Sequence, residues 1–248
     1  MIRRLRRICQ YIFILLTHHP IQTIYFNFKT LPFRQAILLP IYIYTKTEFR
    51  SLRGKIVIEG HVSPNMIHIG DDTRYVTTSR SLSIWTINGT LTFSGKINFY
   101  HGTYVYVAQN AHLRFGRGCC VGSDSKIICR DSIYIGDNVR ITWENQIYDT
   151  SFHYVDSNGV ISPLTKPVII NDKVWIGNRT TIGKGTILPS NSIVASNSMT
   201  NKDYSSCGEN CLYAGIPAVC KKTNISRIWT VKEEEVWDAK YGYIRYKL

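Results

Sequence analysis

The stretch that decides the fold runs from residue 170 to residue 199 and divides into five hexads: INDKVW, IGNRTT, IGKGTI, LPSNSI and VASNSM. Each opens on an aliphatic residue, Ile170, Ile176, Ile182, Leu188 and Val194 in turn. Gly177 and Gly183 follow two of them directly, and the small residues Thr180, Thr186, Ser192 and Ser198 hold the fifth place. A helix repeats near 3.6 residues and an ordinary strand at two, so a period of six fits neither. It predicts a solenoid of short, flat strands. In each coil one aliphatic side chain per face turns inward onto the one above, and Gly or Asn is expected at the corners, where the backbone conformation costs other residues more.

Upstream the same period returns in two other phases. Phe115, Val121 and Ile127 carry Gly116 and Gly122, and Ile135, Ile141 and Ile147 carry Gly136. A weaker trace passes through Ile87, Phe93, Phe99 and Val105. The phase shifts are expected to be residues added or removed at a corner. Between Ile147 and the next clean hexad, residues 148–167 break the register. A long excursion from a regular solenoid is expected to be a functional loop, because an idle connection of that length is uncommon in a compact domain.

The run from Val174-Trp175-Ile176-Gly177-Asn178 through Ile182-Gly183-Lys184-Gly185, Asn191-Ser192-Ile193-Val194 and Thr200-Asn201-Lys202-Asp203 to Gly215-Ile216-Pro217-Ala218 resembles the hexapeptide-repeat acyltransferases. The nearer resemblance is to the maltose and galactoside O-acetyltransferases and the polysaccharide-biosynthesis acetyltransferases. It implies an all-β-dominated fold, a left-handed parallel β-helix over residues 54–222, although the general crossover rule favours the opposite hand. It also implies a homotrimer and acetyl-CoA as co-substrate.

Within the excursion, Asp149-Thr150-Ser151-Phe152-His153 matches the place where the resembling family presents a His that takes the proton of the acceptor hydroxyl. Imidazole suits that task near neutral pH. Ser151 stands where many relatives have a second Asp, so the group that orients His153 is open among Asp149, Glu144 and Asp156, in that order. By the same resemblance Trp175, Asn178, Ser196, Asn201 and Lys202 match CoA-contact positions, with Lys221 and Lys222 following the Gly-Ile-Pro-Ala turn. Backbone donors and Lys suit a diphosphate and a ribose phosphate. Trp175 is equally an outward aromatic that could pack on a neighbour, and Lys184 and Arg179 read as ordinary surface charges.

The expected activity is acetyl-CoA-dependent O-acetylation of a sugar or glycan intermediate. The alternatives are N-acetylation of an amino sugar or antibiotic on the same fold, and a non-catalytic solenoid scaffold in a glycan-assembly complex. The wider composition agrees with an ordered protein: 248 residues, 44% hydrophobic and 19% charged, which excludes disorder and collagen. The net charge of +13 favours anionic partners without choosing among them. No interleaved basic-aromatic motif points to nucleic acid. No metal is expected: Cys207, Cys211 and Cys220 lack a paired fourth ligand, and His61, His68, His101 and His112 show no paired spacing. Seven Cys without framework spacing suit a reduced, cytoplasmic compartment.

The flanks differ from the repeats. Residues 1–19, with Arg3, Arg4, Arg6 and Arg7 before the apolar run Tyr11 to Leu16, read as a basic amphipathic helix docked on the protein or lying on a membrane surface. The run is too short to span a bilayer, which needs about 20 apolar residues. Residues 20–53 read as an irregular or helical cap, making 1–53 one unit. Residues 223–248, with Ile225, Trp229, Val236, Trp237 and Tyr241, read as an amphipathic C-terminal helix starting near Ser226, packed on the β-helix or on a neighbouring subunit.

Overall fold

The computed structural model describes residues 9, 12, 18–71 and 81–243; the basic segment of residues 1–19 thus falls almost wholly outside the described residues. The rest is a parallel β-helix with three faces. Among the described residues, the first face carries nine strands, from Ile41–Ile43 to Ala218–Lys222, the second seven, from Thr47–Leu52 to Met199–Thr200, and the third six, from Lys55–Ile58 to Ile187–Leu188. Each strand pairs in parallel with the same face of the coil above and below, so Ile135 lies beside Ile170 and Ile141 beside Ile176. The one exception within the faces is the last strand, Ala218–Lys222, which turns back antiparallel on Leu212–Gly215 through the Gly215-Ile216-Pro217-Ala218 turn. The hand is the left-handed one that the resemblance implies.

Every residue singled out by the six-residue period points inward and is buried, from Ile87 and Phe93 through Ile141 and Ile147 to Leu188 and Val194. The phase shifts arise at the corners, as expected. From Thr90 to Phe115 each strand is four residues long and turns two side chains inward, two residues apart; the next inward strand residue follows after four residues at a tight corner, Phe93 to Ile97, and after six at a wider one, Phe99 to Val105 and Val107 to Leu113. Coil length shrinks accordingly along the axis. Phe93 pairs with Phe115, 22 residues on, Phe115 with Ile135, 20 on, and Ile170 with Leu188, 18 on.

The corners divide two tasks that the sequence reading assigned to one. The Gly after an inward residue is needed for close approach: a Cβ on Gly177 would lie 2.5 Å from the Ser196 backbone nitrogen of the next coil. The left-handed conformation falls instead on residues such as Asn138, Asn191 and Asn197, where Asn is tolerated. Buried small polar side chains bind the corners to the next coil. Asn145 donates to the Thr142 carbonyl at 2.8 Å and accepts from the Thr180 N–H at 2.8 Å, and the Thr180 hydroxyl reaches the Ala195 carbonyl at 3.1 Å. Buried polar groups paired in this way avoid a desolvation cost.

The β-helix begins at Ile41, not at residue 54. Helix α1 (Pro20–Thr30) and the short α2 (Phe33–Ala36) close its open end, while Ile41–Ile43 and Thr47–Leu52 already belong to the first coil. At the other end α3 (Val231–Tyr241) starts five residues after Ser226. Thr230 caps it: its hydroxyl accepts the Glu233 N–H, and the Glu233 carboxylate accepts the Thr230 N–H. This capping box fixes the start. No residue of α3 is buried, and Val231, Val236, Trp237 and Tyr241 are exposed. The aromatic stripe is therefore not core within this chain. Among the described residues no helix is long and apolar enough to cross a membrane.

Candidate active site

The chain leaves the β-helix once among the described coils at full excursion length, after strand Gln146–Tyr148 of the second face, and returns at Val168–Ile170 of the third. The foot of this excursion is tightly tied. Asp149 is fully buried, and its carboxylate accepts the backbone N–H groups of Arg130 at 2.8 Å and of Asp131 and Ser132 at 2.7 Å, all at the corner of the coil before it. The Lys166 N–H reaches the Asp149 carbonyl at 2.9 Å, and Thr150 bridges to Thr165. Ser151 pairs with Leu164 through its N–H at 2.9 Å and its hydroxyl at 3.2 Å. Beyond the foot the chain forms an antiparallel hairpin, Val155–Ser157 with Val160–Ser162.

His153 sits where foot becomes hairpin. It is exposed, and its backbone N–H reaches the Ser151 carbonyl at 2.7 Å. Its imidazole makes no hydrogen bond to another described residue of the chain. The residue before it, Phe152, holds φ at 63°, a left-handed value that is a true outlier for a bulky side chain. Strain of that kind, worth about 1–3 kcal/mol, persists only where the surroundings over-determine it. Here the Phe152 N–H on the Thr150 hydroxyl at 3.0 Å and the Phe152 ring 5.8 Å from Tyr148 supply part of that constraint.

None of the three expected orienting acids touches the imidazole. Asp149 is the plain correction: both its oxygens are taken by the three backbone N–H groups, so it anchors the excursion and does not point at His153. Glu144 pairs with Arg179 at 2.5 Å, and Asp156 accepts the Gly159 N–H at 2.8 Å. Nearby, burial and then the Asp149 carboxylate push the Cys129 thiol far above its ordinary range, which rules it out as a thiolate nucleophile near neutral pH.

Lys184, read from the sequence as a surface charge, has a defined task. Its ammonium donates to the Ser151 hydroxyl at 3.0 Å and to the Pro163 carbonyl at 2.6 Å, clamping both legs of the excursion to the next coil. The signal that could have found it was its place between Gly183 and Gly185, in the coil stacked directly under the excursion. Ser151, standing where the family more often has an acid, is the lysine's partner.

The seven expected CoA residues do not converge. Asn178 and Ser196 meet at the corner between the first and second faces, where the Ser196 hydroxyl donates to the Asn178 side-chain oxygen at 2.6 Å. Asn201 and Lys202 lie at the corner between the second and third faces, one coil beyond Lys184, with the Lys202 ammonium 5.5 Å from the Tyr204 ring. Lys221 and Lys222 belong to the final antiparallel strand of the first face. Lys202, Lys221 and Lys222 are exposed and form no ion pair with a described residue. Trp175 faces outward from the first face in a cleft of about 440 Å³ with Arg140, Trp143 and Cys120, where Arg227 of the C-terminal tail lies over it at 5.5 Å. Sequence reading missed this cleft because Arg227 and Trp175 are far apart in the chain and meet only when the tail folds back.

A histidine pairing away from the excursion was also unforeseen. His68 bonds Asp71 through Nδ1 at 3.0 Å and faces the Asn65 carbonyl through Nε2 at 3.2 Å. With both nitrogens engaged it has no position left from which to accept a substrate proton. Among the described residues no group of three His, Cys, Asp or Glu is placed to hold a metal ion.

No protein-family model matches the chain, and no curated protein sequence matches it. Solved structures do. The polysialic-acid-specific acetyltransferase NeuO is similar at 20% identity over 82% of this chain and 84% of that one, with a TM-score of 0.55. The polysialic acid O-acetyltransferase OatWY matches at 18% identity, over 78% and 98%, with a TM-score of 0.45. A maltose O-acetyltransferase from Clostridium difficile 630 matches at 26% identity, over 55% and 67%, with a TM-score of 0.37. What the first of these likenesses shows is a shared fold: the chain is built on the left-handed β-helix of the hexapeptide-repeat acyltransferases.

Proposed function

We propose that this protein transfers an acyl group, acetyl in the first instance, from a CoA thioester to a hydroxyl of a sugar or glycan, with His153 as general base. The observation that carries the reading is His153 itself. It is exposed at the foot of the excursion, next to the strained Phe152, with its imidazole uncommitted among the described residues, while Asp149, Ser151 and Lys184 hold the foot rigid. A residue that merely decorated the surface would not need that scaffold.

The thioester supplies an activated acyl carbon and a thiolate leaving group. The imidazole of His153 accepts the acceptor hydroxyl's proton as the oxygen attacks, and returns it as the thiolate departs, so no covalent acyl-enzyme is needed. The residues that would hold CoA include lysines whose charge has no carboxylate partner among the described residues. Lys202, with Asn201, shares its corner with the excursion, and Lys221 and Lys222 add positive charge on the closing strand. Unpaired ammonium groups suit phosphate.

In this reading the enzyme works as a homotrimer in the cytoplasm, and His153 faces a neighbour's coil. Two exposed apolar surfaces support the trimer: Phe152, Tyr154, Val160 and Ile161 on the excursion, and Val236 and Trp237 on α3. A neighbouring copy that covered them is also where the orienting acid would come from, since none of the described residues supplies one to His153.

The test is His153→Ala. Transfer from acetyl-CoA to a panel of hydroxyl and amino sugars should fall by about 10²–10⁴-fold, with CoA affinity by calorimetry nearly unchanged. Lys202→Glu should do the reverse, raising KM for acetyl-CoA at low salt and leaving the acceptor constant close to wild type. Wild-type turnover in the His153→Ala protein would sink the assignment.

A further inference from the structure

Helix α1 is docked the wrong way round for a helix that closes a hydrophobic core. Its inward face is largely polar and bonds the free edge of the first coil. Asn27 donates to the Ile41 carbonyl at 2.6 Å and accepts the Ile41 N–H at 3.2 Å, the Thr23 hydroxyl accepts the Ile43 N–H at 3.0 Å, and Gln22 makes the same two-way exchange with Thr47 at 2.6 and 3.2 Å. These bonds satisfy backbone groups that an open sheet edge would leave to pair with another chain. Phe26 is the one large apolar side chain that α1 sends into the core, its ring tilted against Phe49 at 4.7 Å.

The consequence is an outward apolar stripe. Ile21, Ile24, Tyr25 and Phe28 recur at the spacing of one helical face, and they are 46% to 83% exposed. Phe33 of α2, its ring 6.0 Å from Phe28, and Ile37 just after α2 extend the patch. Single exposed apolar residues need no explanation, but a contiguous patch marks a surface that is covered in use.

Charge decides by what. Before Glu48 the chain has seven Lys and Arg, among them Lys29 and Arg34 beside the stripe, and no Asp or Glu at all. The other two exposed apolar surfaces are not built this way: the excursion hairpin carries Asp156, and α3 carries Glu233, Glu234 and Glu235. An apolar stripe whose charged neighbours along the chain are all cations suits the interface of an anionic bilayer, where the apolar side chains enter the headgroup boundary and each cation near the surface adds attraction.

We infer that the α1–α2 cap is a peripheral membrane-binding surface selective for anionic lipid, which would hold the β-helix end-on against the membrane. The inference does not depend on the acyl-transfer reading. It is tested by flotation of the full-length protein with vesicles of phosphatidylcholine, alone or mixed with phosphatidylglycerol, at low and high salt. Full-length protein should float with the mixed vesicles at low salt, and several-fold less at high salt. The triple variant Ile24→Ser, Phe28→Ser, Phe33→Ser should lose at least about tenfold in partitioning while keeping its circular dichroism and melting curve, since none of the three side chains is buried. Lys29→Glu with Arg34→Glu, both exposed and therefore safe for folding, should weaken binding at low salt only. Three results would overturn the inference: no flotation of the wild type, flotation of both variants equal to wild type, or a change of oligomeric state in the triple variant by sedimentation velocity, which would mean that a second copy covers the stripe.

Discussion

The two halves of the β-helix solve the same packing problem with different side chains. The coil from Ile97 to Phe115 sends six side chains inward, Ile97, Phe99, Val105, Val107, Leu113 and Phe115, whereas the coil from Trp175 to Leu188 sends Ile176, Ile182 and Leu188 from its strands. A longer coil encloses a wider cross-section, and the wide half fills it with rings. Trp85 lies 4.9 Å from Phe99, and Phe99 lies 5.2 Å from Phe115, both edge-on, an arrangement favoured by the ring quadrupoles. The narrow half has room for one aliphatic side chain per face, and small hydroxyls such as Thr180 and Thr186 occupy its buried corners. Interior density is the same constraint in both halves, so coil length and residue size must change together. The excursion with His153 leaves the helix where the wide half gives way to the narrow one.

Four tests, with five substitutions, would break or sharpen this contrast. The largest effect is expected from Phe99→Ala, which empties the middle of the aromatic stack and should cost about 3–5 kcal/mol in urea-induced unfolding. A loss below about 1 kcal/mol, the scale of a single deleted methylene, would mean that the wide coils are loosely packed and that the rings do not set their width.

Next is Asp149→Asn. The buried carboxylate accepts three N–H groups, and an amide in its place would turn a donor toward donors. The expected cost is about 1.5–3 kcal/mol, the scale of a hydrogen bond to a charged group, read as a lower Tm. The pH dependence of kcat/KM should keep its midpoint. If the midpoint moves and the Tm does not, Asp149 orients the imidazole after all, and the foot of the excursion has been misread.

Ile176→Phe tests the narrow half from the other side. A ring that the wide coils accommodate should overpack an 18-residue coil and cost about 1–3 kcal/mol, whereas Val121→Phe, in a longer coil, should cost less. Equal costs would sever coil length from side-chain size.

The smallest effect concerns the surface of the wide half, where the Arg114 guanidinium bonds Glu59 at 2.7 Å and the Ser94 hydroxyl adds a bond at 3.0 Å. These two contacts hold the Glu59 carboxyl below its usual range. A carboxyl depressed in the folded state adds stability above its unfolded pKa of about 4.3, and that contribution is lost as the pH falls through the folded value. Glu59→Gln should therefore lower stability by less than about 1 kcal/mol at neutral pH, as befits an exposed pair, and by nothing measurable in strong acid.

Much of the fold was legible because the period of six depends only on residue size at regular spacing. Ile141, Ile147, Ile176 and Leu188 could be placed in the core without any knowledge of what stacks on them. The start of the β-helix at Ile41 was not legible: Ile41, Tyr42 and Ile43 lack the hexad spacing, and they become a first coil only because Asn27 and Thr23 bond their free edge. The start of α3 was misjudged because Ser226 and Thr230 are both acceptable caps, and only Thr230 has a Glu three residues on.

At the candidate site the same division holds. An interruption of the period and an Asp four residues before a His are visible in one dimension, and with the family resemblance they point to His153. The tasks of the neighbours are not. Asp149 precedes His153 by four residues, yet its carboxylate turns into the protein toward Arg130, Asp131 and Ser132, because three converging backbone N–H groups satisfy a buried carboxylate better than one exposed imidazole would. Lys184 lies 31 residues beyond His153 and becomes part of the same structure because the next coil passes directly beneath.

The sequence by itself determined the coil, its inward residues and the place where the chain departs from it, since a repeating side-chain pattern has few ways to bury itself. Only the tertiary structure decided which face of α1 looks outward, which acid anchors the excursion, and which distant lysine clamps it. Those outcomes depend on which hydrogen-bonding groups are stranded at an edge or a corner once the coils have stacked, and stacking brings together residues whose separation along the chain carries no sign of it.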